Sequence, residues 1–377
     1  MKKIVHSIVV SFLTVLLASI SWYAGASSSY IRTKSQPDVY QYSPDPLPQI
    51  SLDTFYRQEF QQNVDPRTGH LVFSVEDFAI PQRDEVTLHL ARHYDSGVDH
   101  QSILGKGWFF GFESRISVMS EQVIQLTDNE GKVHDFTKEI DNKYVSYANG
   151  RLEIIEEETF YALSLGTTEL RFRKDGKLLQ SVGKNGSSID YIYEDGLLSK
   201  VDLFGRSAVL FEYTAENLLT RIVLPTGKAI NYEYNEQNRL INVVNPIGQS
   251  IKYDYSEQGS LTSINYFDAA VVKLAYVNDS AIIESMTFPD GVKTSFDFTA
   301  YQEGSKKSSE LTFSTQGRIE KVSVDGNKLK YINALNQESF VEYHERFTNL
   351  IAKTKSSNGQ TISYEYTETG KIRSISK

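Results

Sequence analysis

Pairs of aromatic residues separated by one residue recur along the second half of the chain. In the segment "GKAINYEYNEQNRLINVVNPIGQSIKYDY" (residues 227–255) the pairs are Tyr232 with Tyr234 and Tyr253 with Tyr255. Alternate residues of a strand lie on one face, so both rings of a pair share a face. Successive pairs are separated by 21, 20, 21, 21, 21 and 22 residues, a spacing that indicates internal repeats. Counted on the second aromatic, the repeats are marked by Phe172, Tyr193, Tyr213, Tyr234, Tyr255, Tyr276 and Phe298.

Each repeat also contains two turn signals and a second apolar patch. Polar triplets such as "EDG" and "EQN" follow the pairs, and "LPTG", "NPIG" and "FPDG" close the repeats with proline two residues before glycine, which suits a tight turn. Between the turns, an apolar patch predicts a return strand. Single hairpins of this size are marginal in water, whereas stacked hairpins form one sheet. The patches contain Leu219, Leu240 and Leu261, and then Ile222, Val243 and Ile264. We therefore predict an all-β fold of antiparallel hairpin repeats forming a curled, spiralling sheet, with the paired rings on its concave side.

The two faces of the predicted sheet differ in chemistry. The residue between the rings is acidic in five repeats, which predicts a solvated outer face with Lys200 and Arg221 as cross-strand partners. No D-x-D-x-D-G spacing supports calcium on that face. The aromatic face is too large to stay uncovered, so packing inside the curled sheet is the favoured interpretation. Binding of a carbohydrate on that face is the alternative, because each tyrosine hydroxyl needs a partner. The five acidic residues are Glu212, Glu233, Asp254, Asp297 and Glu365.

The chain divides by pattern into four parts. Residues 1–26 have the form of a secretory signal peptide, with Lys2 and Lys3 before an apolar run and small residues before Ser27. Residues 27–50 are polar and contain proline, and are interpreted as a linker. Residues 51–150 form a non-repetitive β region, in which "HLVFSVEDFAIP" and "EVTLHLARHYDS" alternate as strands do. Residues 151–377 hold the repeats, with an irregular insertion near 299–340 where "YQEGSKKSSE" is interpreted as a loop.

Charge and cysteine content limit the partners. Loss of Lys2 and Lys3 with the signal peptide changes the formal net charge from −9 to −11. An acidic protein argues against nucleic acid as a partner, and after cleavage of the signal peptide no membrane insertion is expected. A retained N-terminal anchor is the alternative to cleavage. The chain has no cysteine, which excludes disulfides and thiolate chemistry. We expect a periplasmic, cell-surface or extracellular protein whose partner is a surface glycan or another protein.

The repeats resemble the YD repeats of RHS proteins, on the segments "IDYIYEDGLLSKVDLFGR", "INYEYNEQNRLINVVNPIG" and "IKYDYSEQGSLTSI". The region from residue 63 to residue 96, followed by "ILGKGWFFGFESRI", is similar to the segment that precedes the repeats in that family. The matching positions are Asn63, Thr68, Gly69, Asp77, Ile80, Pro81, Arg92, Tyr94, Gly107 and Trp108.

The resemblance implies a β ribbon that spirals into a hollow shell, which in bacteria encloses a C-terminal toxin and in animals belongs to adhesion receptors. This sequence has about eight repeats and lacks the family's aspartate–proline–glycine signature for self-cleavage. No toxin domain is recognised after the repeats. We therefore expect a partial shell, either a shortened relative or a broken gene product.

No catalytic constellation stands out. His89 and His93 lie four residues apart, but in a strand that spacing is about 13 Å, too long for one metal ion. No G-x-S-x-G elbow occurs. Trp108 is expected in the core, with stacking on a sugar as the alternative. We assign no catalytic, cofactor-binding or metal residue, expect no cofactor, and leave the ligand-binding residues unknown. The expected function is that of an exported, non-enzymatic RHS-like scaffold, which acts in surface interaction or as a partial shell related to toxin encapsulation. The alternatives are a carbohydrate-binding module that uses the aromatic face and a polysaccharide-acting enzyme with an unrecognised carboxylate pair.

Overall fold

The computed structural model describes residues 63–80, 87–99, 101–147, 152–205, 207–278, 280–303, 306–347 and 350–377. The predicted signal peptide (1–26) and linker (27–50) lie outside these residues. None of the described residues forms a helix long and apolar enough to cross a membrane.

A small three-stranded sheet, here called the cap sheet, precedes the repeats. The described residues from 63 to 113, which contain this sheet, its connections and the short helix after it, are here called the cap. Its strands are Val72–Ile80 (β1), Leu88–Asp95 (β2) and Trp108–Phe110 (β5), antiparallel in the order β1-β2-β5. The two-residue strands Gln101–Ser102 (β3) and Gly105–Lys106 (β4) pair between β2 and β5. A short 3-10 helix, Gly111–Glu113, connects the cap sheet to the next strand.

One long antiparallel sheet, here called the repeat sheet, contains every later strand. Each strand pairs with the next in sequence, as expected for stacked hairpins. Its strands are Arg115–Val118 (β6), Val123–Thr127 (β7), Val133–Ile140 (β8), Lys143–Ser146 (β9), Leu152–Glu156 (β10), Phe160–Leu165 (β11), Thr168–Arg173 (β12), Leu178–Gly183 (β13), Ser188–Glu194 (β14), Leu197–Leu203 (β15), Ser207–Tyr213 (β16), Leu219–Val223 (β17), Ala229–Tyr234 (β18), Leu240–Val244 (β19), Ser250–Tyr255 (β20), Leu261–Asn265 (β21), Val271–Tyr276 (β22), Ile283–Thr287 (β23), Lys293–Glu303 (β24), Lys306–Thr315 (β25), Arg318–Asp325 (β26), Lys328–Ile332 (β27), Glu338–Tyr343 (β28), Ile351–Lys355 (β29), Thr361–Tyr366 (β30) and Ile372–Ser376 (β31).

The repeat sheet curls without closing into a continuous ladder. On one side, β6 meets the turn before β13 through a single bridge between Arg115 and Lys177. On the other side, Tyr147, directly after β9, packs on Phe347, with ring centroids 5.9 Å apart. Within the described residues, no ladder joins β31 back to β6. The predicted all-β, curled antiparallel sheet is confirmed.

The paired rings lie on the concave face, as predicted. Tyr232 is 3% exposed and Tyr253 is 1% exposed, while Glu233 and Asp254 between the rings are exposed. In most repeats a β-bulge lies between the middle residue and the second aromatic, as at Glu233/Tyr234. The bulge adds local twist, which assists curling of the sheet. The same irregularity precedes Phe172, Tyr193, Tyr213, Tyr255, Tyr276, Tyr343 and Tyr366.

The structure adds detail at two predicted boundaries. The repeat sheet begins at Arg115, within the predicted N-terminal β region of residues 51–150, so β6 to β9 share one sheet with the sequence repeats. Within the segment 299–340 the described residues form regular strands: β24 and β25, 11 and 10 residues long, pair with each other where a loop was expected. The repeat pattern fades in the sequence because these strands are longer than the five to seven residues of β14–β23. Tyr343 restores the second-aromatic position there, but its first ring is replaced by Val341, which hid the repeat.

Candidate functional site: the contact between cap sheet and repeat sheet

Three aromatic side chains that alternate along the end of the cap meet three successive repeats. The ring of Phe112 lies 5.0 Å from Phe211, that of Phe110 lies 6.5 Å from Tyr232, and that of Trp108 lies 5.0 Å from Tyr253. These edge-to-face contacts are of the kind favoured between aromatic rings. The cap sheet and the 3-10 helix after it therefore fill the concave face of the repeat sheet with side chains. Trp108 is fully buried, which confirms its predicted place in the core.

A buried ion pair lies at the centre of this contact. Arg92 and Asp77 are joined by two hydrogen bonds of 2.7 Å, with side chains 0% and 4% exposed. The pair comes from adjacent cap strands, since Asp77 is on β1 and Arg92 on β2. A buried ion pair is tolerated only when further hydrogen bonds satisfy its remaining donors and acceptors.

The repeat sheet supplies those additional hydrogen bonds. The Tyr232 hydroxyl donates to Asp77 at 2.8 Å, and Arg92 donates to the Tyr253 hydroxyl at 3.0 Å. The Arg92 guanidinium also lies over the rings of Trp108 and Tyr253, at 5.2 and 5.6 Å from their centroids. Trp108 Nε1 donates to the Tyr255 hydroxyl at 3.0 Å. The first tyrosines of two neighbouring repeats thus complete a polar network that begins in the cap.

The pKa values of the network reflect its burial and its charges. Burial by itself would lower the pKa of Arg92, but the adjacent Asp77 carboxylate keeps that pKa well above its usual value. Burial, together with the Asp77 charge, raises the pKa of Tyr232 well above its usual value. Arg92 therefore stays charged and Tyr232 stays neutral, as the donor roles in the network require.

Backbone contacts attach the cap to one rim of the repeat sheet. The Ile103 carbonyl accepts hydrogen bonds from the Leu219 N–H at 2.8 Å and from the Tyr234 hydroxyl at 3.3 Å. The Gly69 carbonyl accepts from the Ile283 N–H at 3.0 Å. Ser309, on the long hairpin β24–β25, donates to the Pro66 carbonyl at 2.7 Å. The cap is therefore held along the rim from β17 to β25.

Two glycines allow close approach, one between the cap and this rim and one between β6 and the turn before β13. Gly105 has φ +90°, and a Cβ there would lie 2.4 Å from the Asn238 carbonyl oxygen. Gly176 has φ +89°, and a Cβ there would lie 1.9 Å from the Ile116 carbonyl oxygen. Both positions need a residue that tolerates positive φ and carries no side chain.

The second tyrosine of a repeat has a different role from the first. In four of the described repeats its hydroxyl donates to the backbone carbonyl 15 residues earlier, in the preceding repeat, at 2.6 to 2.9 Å. This bond satisfies a buried hydroxyl and connects neighbouring hairpins, which explains tyrosine in place of phenylalanine. The bonds are Tyr213 to Leu198, Tyr234 to Leu219, Tyr255 to Leu240 and Tyr366 to Ile351. The sequence indicated that these hydroxyls need partners but did not identify them.

The positions that support the family resemblance converge on the cap and its contact. Asp77, Arg92, Tyr94 and Trp108 are buried together, and Gly69 lies at the rim. Asn63 and Thr68 lie in the first turn of the cap, Ile80 ends β1 and Gly107 precedes β5; Pro81 lies outside the described residues. The sequence did not reveal that these residues meet the repeat tyrosines.

The predicted strand assignment of His89 and His93 is confirmed, and each histidine has its own neighbour on β1. His89 Nδ1 lies 2.8 Å from Glu76 Oε2, and His93 Nδ1 lies 2.7 Å from the Ser74 hydroxyl. Across the described part of the chain, no group of three or more His, Cys, Asp or Glu side chains is arranged to hold a metal.

The outer face is solvated, as predicted, with one correction. Arg221 pairs with Glu212 at 3.4 Å, whereas Glu233 and Asp254 accept hydrogen bonds from neutral side chains. Lys200 does not neutralise a carboxylate between paired rings, because the residue opposite it is Ile192; its ion pair is with Asp202 on its own strand.

A groove of about 540 Å³ opens between the turns of two neighbouring hairpins. Arg239 in this groove donates to the Ser256 carbonyl at 2.9 Å and lies over the ring of Tyr255. The other lining residues are Asn235, Gln237, Ile241, Tyr253, Asp254, Ser256 and Glu257. They carry charges of both signs, which define no particular ligand.

Residues 61–136 match a family described as a domain of unknown function, DUF6531. This segment includes the cap and the first strands of the repeat sheet. A comparison with curated proteins gives no match.

Several solved structures resemble the chain at low similarity. The crystal structure of TcdB2-TccC3 has 14% identity and a TM-score of 0.34, and the alignment covers 81% of this chain and 22% of that chain. TcdB2-TccC3 without its hypervariable C-terminal region gives 11% identity, a TM-score of 0.33, and coverage of 85% and 24%. A Tc holotoxin pore from Photorhabdus luminescens gives 12% identity, a TM-score of 0.32, and coverage of 81% and 21%. This chain therefore spans about a fifth to a quarter of those chains, and TM-scores of this size do not establish a common architecture.

Proposed function

We propose that this chain is an exported, non-enzymatic scaffold of the RHS type, in which the N-terminal cap closes one end of a curled repeat sheet. The observation that supports this proposal best is the network of Asp77 and Arg92 with Tyr232 and Tyr253. It commits the concave aromatic face to internal packing. The resemblance of the same cap residues to the segment that precedes the repeats in RHS proteins supports the same interpretation.

The burial of the rings bears on the carbohydrate-binding alternative. Stacking on a sugar needs an aromatic face open to solvent. From β14 to β20 the first aromatic of each pair is at most 8% exposed. The outer face, which carries the exposed acidic positions, is therefore the surface that the scaffold offers to a partner, and the partner we propose is another protein at the cell surface or outside the cell.

Export is tested by the N-terminus of the protein recovered from its natural host. Cleavage of the predicted signal peptide places Ser27 at the mature N-terminus. N-terminal sequencing that still finds Met1 would overturn cleavage and favour the retained N-terminal anchor, and protease accessibility of the protein on intact cells or spheroplasts then tests export itself.

A glycan array and a hydrolysis assay test the scaffold role. The protein covering residues 27–377 is expected to bind no glycan through its aromatic face, so its glycan-array profile should be the same as that of the variant Tyr253→Phe. It is also expected to release no reducing sugar from polysaccharides. Glu236→Gln, in an exposed turn, is the control for a nonspecific loss of surface charge. Glycan binding that disappears in Tyr253→Phe but persists in the control would favour the carbohydrate-binding alternative. Sugar release would favour an enzyme.

A further inference from the structure

Glu113 occupies a connecting position between the cap and the repeat sheet. It ends the 3-10 helix that joins the two, and its carboxylate accepts the Phe110 N–H at 2.8 Å and the Ile103 N–H at 3.4 Å. The Ile103 peptide therefore contacts Glu113 through its N–H. Through its carbonyl, the same residue accepts hydrogen bonds from Leu219 and Tyr234 of the repeat sheet. Glu113 thus positions the residue that attaches the cap to the rim.

The surroundings of this carboxylate offer it little compensation for a negative charge. From β6, Arg115 is the cation that acts on it. The charge of Glu113 also acts electrostatically on the second tyrosines of three successive repeats, Tyr193, Tyr213 and Tyr234. Two further cations, Arg173 and Lys177, lie 5.8 and 5.4 Å from the centroid of the Tyr193 ring. Glu113 is partly buried, and a charge withdrawn from water without a direct ion pair is costly.

We propose that the contact between the cap and the repeat sheet is a pH-responsive joint, which tightens when Glu113 is protonated and loosens when Glu113 is ionised. A proton on Oε2 removes this partly buried charge, leaves Oε1 to accept the Phe110 N–H, and weakens only the longer, 3.4 Å contact with the Ile103 N–H. Ionisation restores the charge, and movement of the cap away from the rim would let water reach it.

The direction of the pH dependence follows from the environment of Glu113. Burial raises the pKa of Glu113 from 4.5 to about 7, against the opposing effects of the two backbone N–H groups and Arg115. The docked cap therefore binds this proton more tightly than an undocked cap would. The stabilisation of the docked cap by this proton is complete below about pH 4.5 and is lost as the pH rises through 7. Across that range the docking equilibrium is expected to weaken on the order of a hundredfold.

Hydrogen exchange of the purified protein at pH 5.5, 7.0 and 8.5 tests the joint, after correction for the intrinsic rate at each pH. The amide of Leu219 is a direct reporter, because it donates to the Ile103 carbonyl. Its protection is expected to fall by about tenfold or more between pH 5.5 and 8.5, while amides in β29 and β30 keep theirs. Equal protection of Leu219 at all three pH values would overturn the proposal.

The variant Glu113→Gln separates charge from shape. Glutamine keeps an oxygen for the Phe110 N–H but cannot ionise, so the hydrogen-exchange protection of Leu219 should become independent of pH. At every pH this protection should be at least that of the wild type at pH 8.5. Glu216→Gln, an exposed glutamate in the neighbouring turn, is the matched control and should retain the wild-type profile. If Glu113→Gln keeps the wild-type pH dependence, another group is responsible. This outcome would leave the scaffold proposal intact, because that proposal does not depend on Glu113.

Discussion

The same repeat motif lies in two different environments, one beneath the cap and one near the end of the repeat sheet. Tyr232 beneath the cap is 3% exposed and bonds to Asp77, whereas Tyr364, its equivalent in β30, is only partly buried. The second tyrosines do not differ in this way: Tyr234 and Tyr366 both donate to a carbonyl 15 residues earlier. The second ring therefore serves the repeat itself, while burial of the first ring depends on what covers the sheet.

The largest expected effect on this comparison comes from breaking the buried ion pair. Arg92→Ala leaves the Asp77 carboxylate buried without its cation, and should lower the free energy of unfolding by about 3–5 kcal/mol. Hydrogen exchange should locate the loss in the cap and in β16–β21, with little change in β29–β31. Arg221→Ala removes an exposed pair and should cost less than about 1 kcal/mol in urea unfolding. Equal effects of the two variants would show that the ion pair does not hold the cap.

A smaller effect is expected from a methyl group at the rim. Gly105→Ala meets both a positive φ and the Asn238 carbonyl, so it should cost about 2–4 kcal/mol. Gly227→Ala is the matched control: its φ is +80° but no atom lies within 4 Å of the new Cβ. It should cost about 1–2 kcal/mol for backbone strain alone. Urea unfolding that gives the two variants the same stability would mean that the cap does not approach Asn238 closely.

The smallest effect is expected where the two regions are alike. Tyr234→Phe and Tyr366→Phe each remove one hydroxyl bond to the preceding repeat, and each should cost about 1 kcal/mol. Thermal unfolding of the two variants measures the difference. If Tyr234→Phe loses several times as much stability as Tyr366→Phe, the dominant contact of the Tyr234 hydroxyl is the one with the Ile103 carbonyl, which Tyr366 lacks.

The hairpin repeat and its ring-bearing face could be predicted because their signals are local. Two rings one residue apart, a turn, an apolar patch and a proline–glycine turn each act within a few residues. The segment 299–340 could not be predicted in the same way. The strands β24 and β25 grow to 11 and 10 residues, which breaks the period without breaking the sheet. Val341 in place of the first ring then hides the repeat that contains Tyr343.

The candidate site was predicted only in part. Trp108 was placed in the core by residue type, and Asp77, Arg92 and Tyr94 were noted as positions of a family resemblance. Nothing in the sequence states that Asp77 meets Tyr232, because 155 residues separate them. Glu113 carried no signal, since one glutamate near a strand boundary is common in an acidic chain.

The sequence by itself determined the antiparallel hairpins, the face that carries the paired rings and the solvated outer face. The period of side chains along a strand and the φ preferences of turn residues are properties of short segments. Only the tertiary structure decided what fills the concave face and where the cap ends and the repeat sheet begins. Those features depend on which distant side chains satisfy one another's hydrogen bonds and charges when they are buried together, and a linear pattern does not encode such partners.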